Sequence, residues 1–202
     1  MKISKIEPQK KNKKRSTIYI NGDFAFGLSN EILLKFDFHE GDPIDENIIQ
    51  NVLLEQEKQR IRERALRILA YRKRSVKELK TRLIKIGFDK DLVREIIEEF
   101  VRDGALNDDD FTEAFVADYT NLKPKGNIFI SRELAKRGIS QEAIQSALRM
   151  RDENQIVKDF LRKKLSHFNV KNPKDRQKIL RRLLSRGFTP SIVYRLLNSH
   201  EK

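Results

Sequence analysis

The sequence predicts a mainly α-helical protein of three tandem three-helix, helix-turn-helix-like repeats that form an elongated curved array, with a small N-terminal β-hairpin extension. Two observations predict the array. A glycine followed by an apolar residue recurs at nearly constant spacing, and apolar residues keep a helical period from residue 45 onward. A third observation, an Asn-Gly pair between two strand-like segments, predicts the hairpin.

The recurring glycine stands in Gly87-Phe88, Gly138-Ile139 and Gly187-Phe188. These pairs are roughly 50 residues apart, a period typical of repeat proteins. A glycine at such a point takes the left-handed backbone conformation that ends a helix. Apolar residues at matching positions predict a helix on either side of each glycine, and a further apolar helix before each pair. The sequence therefore predicts three copies of one three-helix unit.

We expect a hairpin-containing extension at residues 1–44, a first repeat with its leading helix at 45–107, a second repeat at 108–152 and a third at 153–202. In the extension, residues 2–7 are a candidate third strand beside the hairpin. Period-two alternation predicts that Phe24, Phe26 and Leu28 share one face of the second hairpin strand.

Two features are predicted to start helices. Ser75 and Glu78 have the spacing of a capping box. The acids at 108–110 fit a helix N-terminus, where one aspartate caps and the others are favoured by the helix dipole. A calcium loop is not expected there, because Glu113 occupies the position that requires glycine.

Charge is the strongest compositional signal. The formal net charge is +13, with 43 Lys and Arg against 30 Asp and Glu, and this predicts a polyanionic partner such as DNA. The charge is unevenly distributed, since acids dominate residues 95–118 and bases dominate residues 162–186. This bipolar distribution favours a partner that carries both signs, such as a protein–DNA assembly.

Other functional classes are disfavoured. The chain lacks an apolar run of about 18 residues that could cross a membrane, and no apolar signal core follows its basic N-terminus. The absence of cysteine excludes disulfides and thiolate metal sites and fits a cytoplasmic protein. No phosphate-binding glycine loop and no catalytic constellation is present, so we expect no enzyme activity, no cofactor and no metal.

The basic clusters of the helical region are the candidate binding residues, because cationic side chains can contact phosphate: Arg72, Lys73, Arg74, Arg132, Lys136, Arg137, Arg162, Lys163, Lys164, Arg181, Arg182 and Arg186. Bases recur just before the glycine of the second and third repeats, which favours a phosphate-facing edge. An ordinary solvated helix face remains the alternative. Four phenylalanines have core spacing and are predicted to be buried rather than to stack on bases: Phe111, Phe115, Phe160 and Phe168.

These residues also resemble a known family. The first repeat of the RecX family is similar to the segment with Arg74-Ser75, Glu78-Leu79, Arg82-Leu83 and Gly87-Phe88. Its second repeat, the most specific match, resembles the segment with Gly104-Ala105-Leu106-Asn107-Asp108, Phe111, Lys123-Pro124-Lys125-Gly126, Glu133-Leu134 and Arg137-Gly138-Ile139. Its third resembles the segment with Arg182-Leu183 and Arg186-Gly187-Phe188. The resemblance covers about residues 60–198.

The resemblance implies a modulator, usually an inhibitor, of the RecA recombinase that lies along the RecA–single-stranded-DNA filament and restrains recombination, DNA repair and the SOS response. It implies RecA and single-stranded DNA as partners, with weaker binding to duplex DNA, and a cytoplasmic monomer that needs no membrane or cofactor. A sequence-specific helix-turn-helix regulator is the alternative, and it requires a preferred duplex site. A helical scaffold that binds protein independently of DNA is a third reading.

Overall fold

The computed structural model describes residues 1–198, so the last four residues of the predicted third repeat, 199–202, lie outside the described part. The strands are β1 (Ile3–Pro8), β2 (Arg15–Ile20) and β3 (Asp23–Ser29). The helices are α1 (Asn30–Lys35), α2 (Glu46–Tyr71), α3 (Val76–Ile86), α4 (Lys90–Arg102), α5 (Asp108–Ala117), α6 (Asn127–Lys136), α7 (Gln141–Arg149), α8 (Glu153–Lys164), α9 (Pro173–Ser185) and α10 (Pro190–Asn198). A π-helical turn, Asp118–Leu122, follows α5. The mainly α fold with a small N-terminal sheet is confirmed.

Backbone contacts divide the chain into two compact units. The first unit comprises Met1–Ile68 and Leu83–Ile96, and the second comprises Leu69–Arg82 and the chain from Ile97 onward. The first unit contains an antiparallel sheet in the order β1-β2-β3. Both residues of its two-residue turn have positive φ, 52° at Asn21 and 96° at Gly22. The predicted hairpin and its third strand are therefore confirmed.

The prediction that Phe24 shares a face with Phe26 and Leu28 is wrong. Tyr19 of β2 pairs with Phe24, and the preceding residue of β2, Ile18, pairs with Phe26. Ala25 therefore has no partner in β2 and is an extra residue in β3. Such a β-bulge reverses the side-chain alternation, because alternation has a period of two. Leu28 is buried and Phe26 packs against the core, whereas Phe24 is 67% exposed on the opposite face.

The inner face of the sheet closes the core of the first unit. Its buried members come from the sheet, α1, the segment after α1 and the start of α2: Ile3, Ile18, Ile20, Leu28, Ile32, Ile44 and Val52. Ser29 caps α1 by accepting the N–H of Ile32, and its own N–H donates to the side chain of Gln56 at 2.6 Å. This bond ties the end of β3 to α2.

The three glycine turns have one geometry, which confirms the predicted repetition. Each glycine has positive φ, and the apolar residue after it donates its N–H to the carbonyl five residues earlier, as in a Schellman motif. These bonds measure 3.4 Å from Phe88 to Leu83, 3.2 Å from Ile139 to Leu134 and 3.3 Å from Phe188 to Leu183.

Two of the three-helix sets lie entirely in the second unit, and each has its own core. The set α5–α7 buries Phe111, Ile130, Leu134, Ile139 and Ile144. The set α8–α10 buries Val157, Phe160, Leu165, Ile179, Leu183, Phe188, Val193, Leu196 and Leu197. Phe111 and Phe160 are thus core residues as predicted, while Phe115 and Phe168 pack against these cores as half-buried neighbours.

A backbone joint connects the sets within the second unit. The N–H groups of Gly126 and Ile128, at the start of α6, donate to the carbonyls of Arg186 at 3.0 Å and Gly187 at 3.1 Å. One joint earlier, the Ser75 hydroxyl before α3 donates to the carbonyl of Arg137 at 2.7 Å. The glycine turns of the sets α5–α7 and α8–α10 therefore lie against the start of the middle helix of the preceding set, which is α3 in the first set, α2–α4, and α6 in the second.

A carboxylate completes each joint. Asp108, the first residue of α5, accepts the N–H of Val76 at 2.8 Å, and Glu153, the first residue of α8, accepts the N–H of Asn127 at 2.7 Å. The prediction that an aspartate of the 108–110 triplet caps its own helix is wrong, because Asn107 caps α5. Burial raises the pKa of Asp108. The residue of α9 that is equivalent to the donors Val76 and Asn127 is Pro173, which has no N–H and so needs no acceptor.

Candidate nucleic-acid interface

An open groove of about 650 Å³ lies in the second unit, where the segment 122–125 meets α8 and α9. Five cationic side chains line it: Lys123, Lys125, Lys164, Arg182 and Arg186. No acidic side chain is among its described lining residues. We call this feature the basic groove. A concave surface with one sign of charge concentrates counter-ions, so the basic groove is suited to phosphate.

Most of these cations are unpaired. Within residues 1–198, Lys123, Lys125, Lys164 and Arg182 form no ion pair. Lys125 lies 4.6 Å from the ring centroid of Phe129, and Arg182 lies 5.6 Å from that of Phe168. Aromatic faces hold a cation in place without neutralising it. The groove therefore keeps its charge available for an external anion.

Arg186 differs from the other groove residues. It donates to the carbonyl of Pro124 at 3.2 Å and lies 4.6 Å from the ring centroid of Phe160. It is partly buried. Arg186 therefore holds the segment at Pro124 onto the third set, and only part of its charge is directed at the groove.

The groove brings together three of the predicted binding residues, Lys164, Arg182 and Arg186. Sequence reasoning did not assign Lys123 and Lys125 to binding, because they were interpreted only as a helix break and a family motif. Two lysines flanking a proline in an interhelical loop were the signal that could have identified them.

Several other predicted binding residues are engaged inside the molecule. Their ion pairs are Arg72 with Glu78 at 3.1 Å, Lys73 with Asp110 at 3.9 Å, Lys136 with Glu133 at 3.0 Å and Arg162 with Asp159 at 2.8 Å. Lys163 and Arg181 are exposed, and neither forms an ion pair with a described residue. Arg132 is exposed and lies 6.0 Å from the ring centroid of Phe129. The twelve candidates thus do not form one surface.

Arg74 is a separate case. Its Nε is buried without a hydrogen-bond partner among the described residues. Burial, followed by the neighbouring charge of Arg72, lowers the pKa of Arg74.

Arg137 belongs to the joint between the first two sets rather than to an open edge. It pairs with Glu133 at 2.8 Å and with Glu78 at 3.2 Å, and it lies 5.0 Å from the ring centroid of Phe115. Burial raises the pKa of Glu78, but the hydrogen bond from Arg72 and the charges of Arg72 and Arg137 outweigh it, so the pKa is lowered. Glu78 therefore holds Arg137 against the start of α3, while Glu133, on α6 itself, orients the guanidinium.

The predicted capping box is only half formed. Ser75 accepts the N–H of Glu78 at 3.2 Å, as expected. The Glu78 carboxylate, however, accepts hydrogen bonds from Arg72 instead of turning back to the N–H of Ser75. Ion pairs of Glu78 with Arg72 and Arg137 take the place of its hydrogen bond to the N–H of Ser75.

Two buried charged residues position the groove, and sequence reasoning missed both. Arg151 is 9% exposed and donates to the Thr120 hydroxyl at 2.8 Å, to the Tyr119 carbonyl at 3.2 Å and to the Lys125 carbonyl. Glu153 is 3% exposed, and its carboxylate accepts the N–H of Asn127 at the joint. Together they fix the ends of the segment that carries Lys123 and Lys125. The only sign of this role in the sequence was that two charged residues, Arg151 and Glu153, stand between two predicted helices.

An open cleft of opposite charge lies between α5 and α7. It has a volume of about 710 Å³, and its lining includes the small residues Ala143 and Ala147, two acids, Asp109 and Glu113, and one base, the buried Arg151. Neither acid has an ion pair within the described chain. Met150, at its edge, is 92% exposed. We call this feature the acidic cleft.

Residues 1–198 contain no group of His, Asp or Glu side chains that could hold a metal ion. Over the same residues, no helix is both long and apolar enough to span a bilayer.

Comparison with family models gives matches over three segments. Residues 1–45 match the regulatory protein RecX N-terminal domain, residues 62–100 match the first three-helix domain of RecX, and residues 107–148 match its second. The similarity therefore extends beyond residues 60–198 into the N-terminal sheet.

Individual relatives agree with these matches. Regulatory protein RecX of Halalkalibacterium halodurans is 31% identical over 199 residues, covering 95% of this chain and 75% of the relative. Regulatory protein RecX of Clostridium perfringens strain 13 is 30% identical over 208 residues, covering 98% and 97%. A crystal structure of regulatory protein RecX superposes with a TM-score of 0.74 at 25% identity, covering 98% of both chains.

Proposed function

Because the chain belongs to the RecX family of regulatory proteins, we propose that it modulates the RecA recombinase as an inhibitor and thereby restrains recombination, DNA repair and the SOS response. The partner we propose is the RecA–single-stranded-DNA filament, bound by a monomer of this chain. The observation that supports this proposal most strongly is the basic groove, with its five cations and no acid among its described lining residues.

The basic groove is the proposed contact to DNA. Lys123, Lys164 and Arg182 have no acidic partner among the described residues, so phosphate binding would not require an existing ion pair to break. Each neutralised phosphate releases condensed counter-ions, which favours binding at low salt. Contacts to phosphate do not depend on base sequence. The groove is therefore suited to a filament that assembles on any single strand.

The acidic cleft is the proposed contact to protein. Asp109 and Glu113 would repel a bare phosphate chain, but they complement basic side chains of a protein surface. A filament of protein on DNA offers both signs of charge. Two surfaces of opposite sign in one unit therefore favour a partner that combines protein and nucleic acid.

The proposed mechanism is steric and electrostatic. The joints at Glu153 and Arg137 hold the three-helix sets of the second unit in register, so that the cations and the acids are presented at fixed positions. A chain bound in this way would obstruct addition or exchange of RecA subunits. No bond-making step is assigned to any residue.

RecA ATP hydrolysis on single-stranded DNA tests the proposal. Substoichiometric amounts of this chain should lower the hydrolysis rate, because a bound modulator limits the length of active filament. An unchanged rate, together with binding to one preferred duplex sequence, would instead support the helix-turn-helix regulator. An unchanged rate with salt-independent binding to protein alone would support the scaffold.

A further inference from the structure

The N-terminal sheet has an outer face, opposite its buried core, that carries Lys5, Thr17, Tyr19 and Phe24. We propose that this outer face is a second binding site, for single-stranded DNA, in which the rings of Phe24 and Tyr19 stack on unpaired bases. The choice of DNA as the strand rests on the proposed function; the stacking site rests on the geometry of the first unit.

The β-bulge at Ala25 creates the site. Because of it, Phe24 leaves the core face and pairs with Tyr19 on the outer face. The two ring centroids are 6.4 Å apart and the rings are nearly perpendicular, at 86°. Phe24 is 67% exposed, so the edge-on contact with Tyr19 leaves much of its surface open to solvent. A large exposed aromatic ring is a stacking platform for any base.

Cations lie beside this platform. The ammonium of Lys5 is 5.9 Å from the ring centroid of Tyr19. At the other end of β2, the loop between β1 and β2 exposes four lysines: Lys10, Lys11, Lys13 and Lys14. Cationic side chains next to aromatic rings are the usual combination for single-stranded nucleic acid, since one binds phosphate while the other binds bases.

The spacing along β2 allows one strand to reach both features. Arg15, Thr17 and Tyr19 alternate onto the outer face, while the residues between them are buried. From residue 15 to residue 19 the strand rises about 13 Å. A short oligonucleotide could therefore contact the lysine loop and the rings together.

Acids near the outer face do not block it. Glu7 lies on this face and pairs with Lys5 at 3.3 Å, so these two charges offset each other and the four loop lysines supply the net positive charge. Asp23 is exposed at the hairpin turn beside Phe24. The lysines of the loop outnumber these acids, so the face remains attractive to phosphate.

The test uses the full chain and oligo(dT), without RecA. The chain contains no tryptophan, so Phe24→Trp introduces a single fluorescent reporter at the proposed platform. Oligo(dT) should quench its emission by stacking. Phe24→Ala should weaken binding of oligo(dT) by roughly 5- to 100-fold, the effect of losing one base–aromatic stack. Leu34→Ala, at an apolar residue of the same unit that is 77% exposed, is the matched control and should bind normally.

Emission that stays constant while oligo(dT) saturates the chain would overturn this inference, as would wild-type affinity in Phe24→Ala. Tighter binding of duplex DNA, or of an RNA oligomer of the same length, would also overturn it. Because RecA is absent, these negative results leave the proposed modulation of RecA to be judged by its own ATPase assay.

Discussion

Glu153 accepts the backbone N–H of Asn127 at 2.7 Å, and the same carboxylate accepts the N–H of Thr189 at 3.2 Å and its hydroxyl at 2.7 Å. One side chain, 3% exposed, thus satisfies donors from two successive three-helix sets. Asp108 makes the corresponding contact to Val76 one joint earlier. The register between the sets depends on these two carboxylates, Glu153 buried and Asp108 half-buried, rather than on apolar packing alone.

We predict that Glu153→Ala destabilises the second unit by about 2 kcal/mol or more, because it leaves buried donors without an acceptor. The midpoint of urea denaturation, followed by circular dichroism, measures the loss. Glu142→Ala, at an exposed carboxylate of α7, is the matched control and should shift stability by less than about 0.5 kcal/mol. Equal stabilities of the two variants would show that the joint does not depend on Glu153.

Replacing two equivalent glycines should separate backbone strain from close packing. Gly187→Ala places a Cβ 2.6 Å from the backbone nitrogen of Phe129, whereas Gly87→Ala meets no atom within 4 Å. Both glycines have positive φ, so both variants carry about 1–2 kcal/mol of strain. The thermal unfolding midpoint should therefore fall further for Gly187→Ala. A larger fall for Gly87→Ala would contradict the described joint.

The repeating glycine turns were predictable, because a Schellman turn needs a local pattern that one sequence displays three times. The contacts of Asp108 and Glu153 were not predictable, because their partners are distant in the chain. Asp108 and Val76 are 32 positions apart, and Glu153 and Asn127 are 26 positions apart. Local rules had assigned an aspartate of the triplet to its own helix, but Asn107 takes that position. Partners distant in the chain depend on tertiary packing that a helix-capping rule does not contain.

For the proposed binding surface, the sequence predicted a positive charge but not which residues form the groove. Basic residues before the glycines of the second and third repeats were expected to face phosphate, yet Arg137 is held by Glu78 and Glu133. Phe24 was expected on the core face, and one extra residue in β3 moved it to the opposite side. Period-two alternation cannot locate a bulge, because the bulge is set by the pairing partner. The pairing of Arg137 likewise depends on a helix from another repeat.

Acid should weaken the joint at Glu78. Its pKa is lowered in the folded state from the ordinary 4.5, so its ionised form adds stability above that value. This contribution is lost as the pH falls below 4.5 through the lowered pKa. Glu78→Gln should therefore be less stable than the wild type at pH 7, with the difference shrinking towards pH 3. Urea denaturation across this range measures it, and a difference that grows on acidification would refute the ion pairing with Arg72 and Arg137.

Salt should weaken binding to single-stranded DNA through the basic groove. Replacing Lys123, Lys164 and Arg182 with Glu removes three phosphate contacts, so the slope of log affinity against log salt should become shallower by about 2. Fluorescence anisotropy of a labelled oligonucleotide across a salt series gives both slopes. Identical slopes for variant and wild type would place the DNA contact elsewhere.

The most direct test of the account is RecA ATP hydrolysis on single-stranded DNA with two charge-matched variants. One reverses Lys123, Lys164 and Arg182 to Glu in the groove, and the other reverses the exposed Lys85, Lys90 and Arg102 to Glu, so both change the net charge equally. Arg186 is left intact because it supports the fold. We predict that the second variant inhibits hydrolysis like the wild type, whereas the groove variant needs at least about tenfold more protein, a loss of about 1.4 kcal/mol. Equal inhibition by both variants would contradict a role for the basic groove.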